Sequence, residues 1–115
     1  MPRRDWRIAL LQMLEYAERC IETVGGLSGA ELEADYLHSS SAARTLELIG
    51  EAAKRVPATV QADFPQLPWS QLVGLRNVLI HRYDEVNYHL VATIVAVELP
   101  RLIEELRKII EQETT

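Results

Sequence analysis

Between Trp6 and Val24 the apolar residues return every three or four positions: Trp6, Ala9, Leu10, Met13, Leu14, Ala17, Ile21 and Val24. An α-helix, turning about 100° per residue, lays that spacing along one face, and a strand cannot. The stripe predicts a helix from about Asp5, its N-cap, to Val24, where Gly25-Gly26 ends it. A face of that length needs a partner to cover it. No other part of the chain alternates with the two-residue period of a strand, so the cover must also be helical.

The remaining segments supply it. Ser28 through Ala34 fits one or two turns, with Ser28 as cap and Glu31 completing a capping box. A second long helix opens after Asp35 and runs to about Arg55, with Ala42, Leu46, Ile49, Ala53 and Val56 as its stripe and Pro57 as its stop. Gly50 sits mid-helix at a cost of about 1 kcal/mol against alanine, which points to a close helix-helix contact. Pro57 to Phe64 reads as a short helix closed by Pro65. Pro68-Trp69 starts another, through Leu72, Leu75 and Leu79 to about His81. The last helix begins near Asn87 and continues to about Glu111, with Val95, Leu99, Leu102, Leu106 and Ile109 on its packing edge. Pro100 inside it predicts a kink or a one-turn interruption. The expected fold is all-α: one domain spanning 1–115, an up-and-down bundle of three long helices and two or three short ones.

With 115 residues the chain can bury roughly two-thirds of its unfolded surface in one core. Its formal charge of −5 argues against coating nucleic acid by charge alone, yet leaves room for a small local phosphate site. Cys20 is the only cysteine, so no intrachain disulfide forms, and its place in the first stripe marks it as a small buried hydrophobe. No run approaches the roughly 18 apolar residues of a membrane span. The N-terminus carries the charge of a signal peptide, but Gln12 and Glu15 break its apolar stretch. The expected location is the cytoplasm.

One polar cluster is not needed for packing: Arg76-Asn77-Val78-Leu79-Ile80-His81-Arg82-Tyr83. If the helix reaches His81, Asn77 and His81 share a face at i, i+4, Arg76 reaches across to the imidazole, and Val78 and Leu79 point to the core. Tyr83 returns to the arginine's side if helical geometry persists. These residues suit phosphodiester cleavage without a metal. His81 can take a proton from a ribose 2′-hydroxyl or give one to the leaving oxygen. Arg76 can hold a phosphate oxygen as negative charge builds, and Asn77 can orient either group. No carboxylate and histidine cluster has metal spacing, so neither metal nor other cofactor is expected. A second account remains open on spacing alone: cations in a last turn favour the negative end of the helix dipole, and a tyrosine after them covers the core.

The segment resembles the HepT-like toxins of the HEPN superfamily of small helical ribonucleases. Their R-x4-H-x-Y motif is matched by Arg76, His81 and Tyr83, with Asn77 as the polar residue after the arginine. The resemblance extends to Leu48-Ile49-Gly50-Glu51-Ala52 with Arg44 upstream, to Pro68-Trp69 and to Leu99-Pro100, and so runs from about Asp35 to Leu106. It implies a homodimeric, metal-independent endoribonuclease toxin of a type VII-like toxin–antitoxin pair. In such pairs two motifs face one cleft between subunits, and the substrate is RNA. The partner is an MntA-like nucleotidyltransferase antitoxin that silences the toxin by adding AMP to the motif tyrosine, here Tyr83.

Other residues carry less. Glu51 either pairs with Arg44 along their helix or steers Arg76, while His38 and His89 stand alone near helix starts as surface residues. Arg82, Lys54 and Arg55 can guide RNA phosphates or serve solubility. Two alternatives belong to another class: a catalytically inactive helical module that binds a nucleotide or partner, and a scaffold for the nucleotidyltransferase.

Overall fold

The first apolar stripe becomes α1 (Arg4–Val24) in the computed structural model, which describes residues 4–81 and 85–114. Asp5 therefore lies inside the first turn, not at the cap. The C-terminal stop is as expected: Gly25 donates its N–H to the Ile21 carbonyl at 2.7 Å, and Gly26 takes a φ of 87° that favours glycine. Ser28 and Glu31 then form a reciprocal capping box that opens α2 (Gly29–Ala34).

Asp35 caps α3 (Tyr36–Lys54), accepting from the His38 N–H at 3.2 Å. Its other carboxylate oxygen lies 2.8 Å from the His38 ring, so His38 does not stand alone. That contact holds the Asp35 carboxyl below its usual range. α3 runs antiparallel to α1: Arg55 reaches Gln12 near one end, and Cys20 faces the Ala42 carbonyl near the other. The interface is filled by Ala9, Met13, Ala17 and Cys20 of α1 with Ala42, Leu46, Ile49 and Ala53 of α3, all buried. Burial pushes the Cys20 thiol up to about 12, in keeping with a packing role.

After the four-residue α4 (Ala58–Gln61), the buried Trp69 donates its indole N–H to the Phe64 carbonyl at 2.9 Å and fixes the start of α5 (Trp69–Val73). The expected helix from Trp69 to His81 is divided. Gly74 breaks it with φ −86° and ψ 4°, and α6 covers only Leu75–Leu79. Beyond it Ile80–His81 (β1) pairs antiparallel with Glu85–Val86 (β2), a two-residue ladder that the sequence reading did not foresee.

Asn87 caps the next helix through a bond from the Leu90 N–H to its side chain at 3.1 Å. The helix runs as α7 (Tyr88–Thr93), a π-helical turn (Ile94–Glu98) and α8 (Leu99–Thr114). The π turn is the one-turn interruption expected from Pro100. Proline has no N–H to give the carbonyl four residues back and its ring crowds that carbonyl, so the backbone widens and Leu99 donates to Ile94 instead. Arg7 pairs with Glu113 and Glu18 with Arg107, so α8 also runs antiparallel to α1. The architecture is all-α, with α1, α3 and the α7–α8 helix as the three long members. Among the described residues no helix is long and apolar enough to cross a membrane.

Candidate functional site

The site is held by the short α6 and by what stops it. Leu75 and Leu79 bury one face of α6 in the core. Gly50 of α3 lets the preceding helix come close, since a Cβ there would lie 2.8 Å from the Leu72 carbonyl oxygen. At the end of α6 the Leu79 carbonyl accepts the Asn87 N–H at 2.8 Å, a bond from eight residues on. It takes one of the carbonyls that a longer helix would use, and the chain leaves as a strand.

This geometry corrects the expected helical face. Asn77 and His81 are not one turn apart on a helix, because His81 belongs to β1. The expected return of Tyr83 to the arginine's side lies outside the described residues, as does Arg82. Of His81 the backbone alone is described. Val78 does not point into the core: it is 52% exposed, whereas Leu79 is 1% exposed.

Arg76 and Asn77 are both exposed. Arg7, Arg19, Arg44 and Arg107 are engaged in ion pairs, and Arg55 holds Gln12. Among the described residues Arg76, like Arg101, forms no ion pair. Glu51 does not steer it, since Glu51 lies 3.5 Å from Lys54, and Arg44 pairs with Glu47 instead of Glu51. Lys54 and Arg55 are thus both occupied on the α3 surface.

Two hollows flank α6 and the hairpin. A groove of about 670 Å³ separates α5–α6 from the π turn and α8, with Leu72, Leu75, Val78 and Ile94 along it and Glu98 and Arg101 at its edge. A smaller one, about 240 Å³, is lined by Glu33, Glu85, Val86, Asn87, Tyr88 and His89. His89 is exposed and presses on Gly29, where its ring leaves no room for a Cβ. No group of three or more histidine, cysteine or acidic residues among the described ones is arranged to hold a metal ion. The sequence reading missed Glu85, which stands opposite His81 in the ladder. β-branched Ile80 and Val86 flanking a charged run were the available signal for that pairing.

The family described as Ribonuclease HepT-like matches residues 13–109. A protein of Methanocaldococcus jannaschii named Putative RNase is 34% identical over 111 residues, 96% of this chain and 92% of the relative. One of the same name from Caldanaerobacter subterraneus subsp. tengcongensis is 33% identical over 104 residues, 90% and 93% of the two chains. A protein of Thermococcus cleftensis named Probable ribonuclease HepT is 37% identical over 68 residues, 56% of this chain and 62% of the relative. No solved structure matches the chain significantly.

Proposed function

The chain belongs to the Ribonuclease HepT-like family of the HEPN superfamily and is a ribonuclease, and from that premise we propose that Arg76 and His81 carry out the cleavage. The substrate is RNA, because the ribose 2′-hydroxyl next to the scissile phosphate is the nucleophile. His81 takes the proton of that hydroxyl, or gives one to the departing 5′-oxygen. Arg76 meets the charge that builds on the non-bridging oxygens, and Asn77 orients the phosphate. The products are a 2′,3′-cyclic phosphate and a 5′-hydroxyl, formed without a metal ion. The observation that carries this reading is the state of Arg76: exposed, without an ion pair among the described residues, and five positions before His81 on a helix anchored at both ends.

The biological setting proposed is that of a cytoplasmic toxin in a type VII-like pair. Two chains form a dimer whose motifs share a groove, since one arginine and one histidine make a thin site. Val78, half exposed on α6 two positions after Arg76, offers an apolar side chain that such an interface would cover. A nucleotidyltransferase partner silences the enzyme by adding AMP to Tyr83. The added phosphate takes the place of the RNA phosphate through charge-assisted bonds, and the adenosine fills the groove.

Purified protein should cut RNA in EDTA and leave 2′,3′-cyclic ends, while His81→Ala should not cut. Cleavage that needs magnesium, or His81→Ala at the wild-type rate, overturns the mechanism. Co-expression with the partner should raise the intact mass by one or more AMP units, and Tyr83→Phe should abolish the increment. An increment that persists in Tyr83→Phe places the modification elsewhere.

A further inference from the structure

Three residues separate His81 from Glu85 in the chain, yet the pairing of β1 with β2 sets the two directly opposite, with Ile80 opposite Val86. Opposed residues of an antiparallel pair project to the same face, with Cβ atoms about 4.5–5.5 Å apart. A glutamate and a histidine at that spacing can join carboxylate to ring N–H. Glu85 is exposed and forms no ion pair with another described residue, so none of those claims its carboxylate. Glutamate is also a poor strand former, and packing gives no reason for it in a two-residue strand.

We infer that Glu85 is a positioning residue for His81, its carboxylate accepting a hydrogen bond from one ring nitrogen so that the other is presented to the RNA. This rests on the assignment of His81 as the proton-transfer group. An imidazole has two nitrogens, and the bond made by one decides the protonation of the other. A carboxylate on the far nitrogen fixes the tautomer and stabilises the imidazolium that forms when His81 takes the 2′-hydroxyl proton. It also offsets Arg76, whose positive charge nearby in the sequence disfavours that imidazolium. The other charged or titratable groups near the hairpin are Glu33 of α2 and His89 of α7, which share the small hollow with Glu85. Arg82, Tyr83 and Asp84 of the connecting segment lie outside the described residues.

The test is an NMR titration of the intact protein, with the three histidines distinguished by His81→Ala, run beside single-turnover and steady-state cleavage. Glu85→Gln should lower the His81 pKa by about half a unit to one unit. It should lower kcat about tenfold with KM little changed, and move the His81 limb of the pH–rate profile to lower pH. Glu85→Asp should restore part of both effects. Glu33→Gln, which removes another charge from the same hollow, should leave His81 as it is. Circular dichroism should show unchanged helix content for these exposed-site variants. The inference fails if His81 titrates as in wild type in Glu85→Gln, or if Glu33→Gln lowers its pKa equally. A shifted pKa in a protein that cuts no RNA would uphold the pair and overturn His81's catalytic role. An unmoved pKa in an active enzyme that His81→Ala inactivates would do the reverse.

Discussion

The α1–α3–α8 core and the α6–β1 segment are adjacent in space but are built on opposite terms. In the core, each side chain is set by its neighbours: Met13, Leu46, Leu106 and Ile109 have no exposed surface, and the exposed Arg19, Arg44 and Arg107 around them pair with glutamates on adjoining turns or helices. In the α6 segment the helix lasts five residues, its polar side chains face outward, and Arg76 has no described ionic partner. Stability belongs to the first region and the proposed reactivity to the second. A charge satisfied within the protein is of little use to a substrate, so an arginine without a described ionic partner, as Arg76 is, remains a candidate for binding.

The largest effect that separates the regions is expected at Arg76. Arg76→Ala should slow RNA cleavage about 10²- to 10³-fold, as loss of one donor to a developing oxyanion does elsewhere. Its thermal midpoint should stay near that of wild type. Single-turnover cleavage and a melting curve on the same sample check both halves. A midpoint that falls by many degrees would make Arg76 a structural residue and erase the contrast.

Leu106→Ala should show the opposite pattern. Leu106 is fully buried, and truncation there removes packed methyl groups and leaves a cavity, at about 2–5 kcal/mol. Urea unfolding measures the loss. Cleavage at a temperature where the variant remains folded should be close to wild type. A loss below about 1 kcal/mol would mean that the core can collapse around the gap, and is looser than its burial suggests.

Gly50→Ala tests the joint between the regions. On an isolated helix the change gains about 1 kcal/mol of helix propensity. Here the new Cβ meets the Leu72 carbonyl oxygen at 2.8 Å, and backbone cannot swing aside as a side-chain tip can. The clash should outweigh propensity, for a net cost of about 1–3 kcal/mol in urea unfolding. Cleavage should fall as well, because α5 carries α6 and a displaced α5 moves Arg76. A variant more stable than wild type would show that α3 and α5 are not held at this distance.

These expectations also mark what could be read without coordinates. The long helices were legible because their apolar period repeats through many turns, and the Gly50 contact followed from a glycine where propensity disfavours it. Pro100 forecast an interruption, and the π turn is the form it takes. α6 is too short for a period to decide its limits. Its end depends on the Asn87 N–H reaching back to the Leu79 carbonyl, a nonlocal bond that no local pattern encodes. The site residues were therefore picked out by chemistry and by family resemblance, while the helical face assigned to Asn77 and His81 was not what formed. Asp5 and His38 were misread for a simpler reason, since a cap or a side-chain pair depends on one neighbour and leaves no periodic trace.

The smallest effect is expected at Val78, and it bears on assembly. Helical spacing suggested that this residue points inward, but α6 turns its buried face through Leu75 and Leu79 and leaves Val78 at 52% exposure. A valine this exposed loses little when it becomes serine, so Val78→Ser should change the stability of a single chain by no more than about 0.5 kcal/mol. That figure assumes the residue meets water. If two chains meet over this face, Val78 is covered in the dimer, and the hydroxyl is buried where an apolar surface was. The cost then depends on protein concentration, because unfolding is coupled to dissociation. Thermal melts at two concentrations a hundredfold apart separate the cases. Equal and minor shifts at both concentrations would leave Val78 at a free surface and remove it from the proposed interface. A loss that appears together with a smaller assembly in light scattering would place the groove that Val78 lines between two subunits.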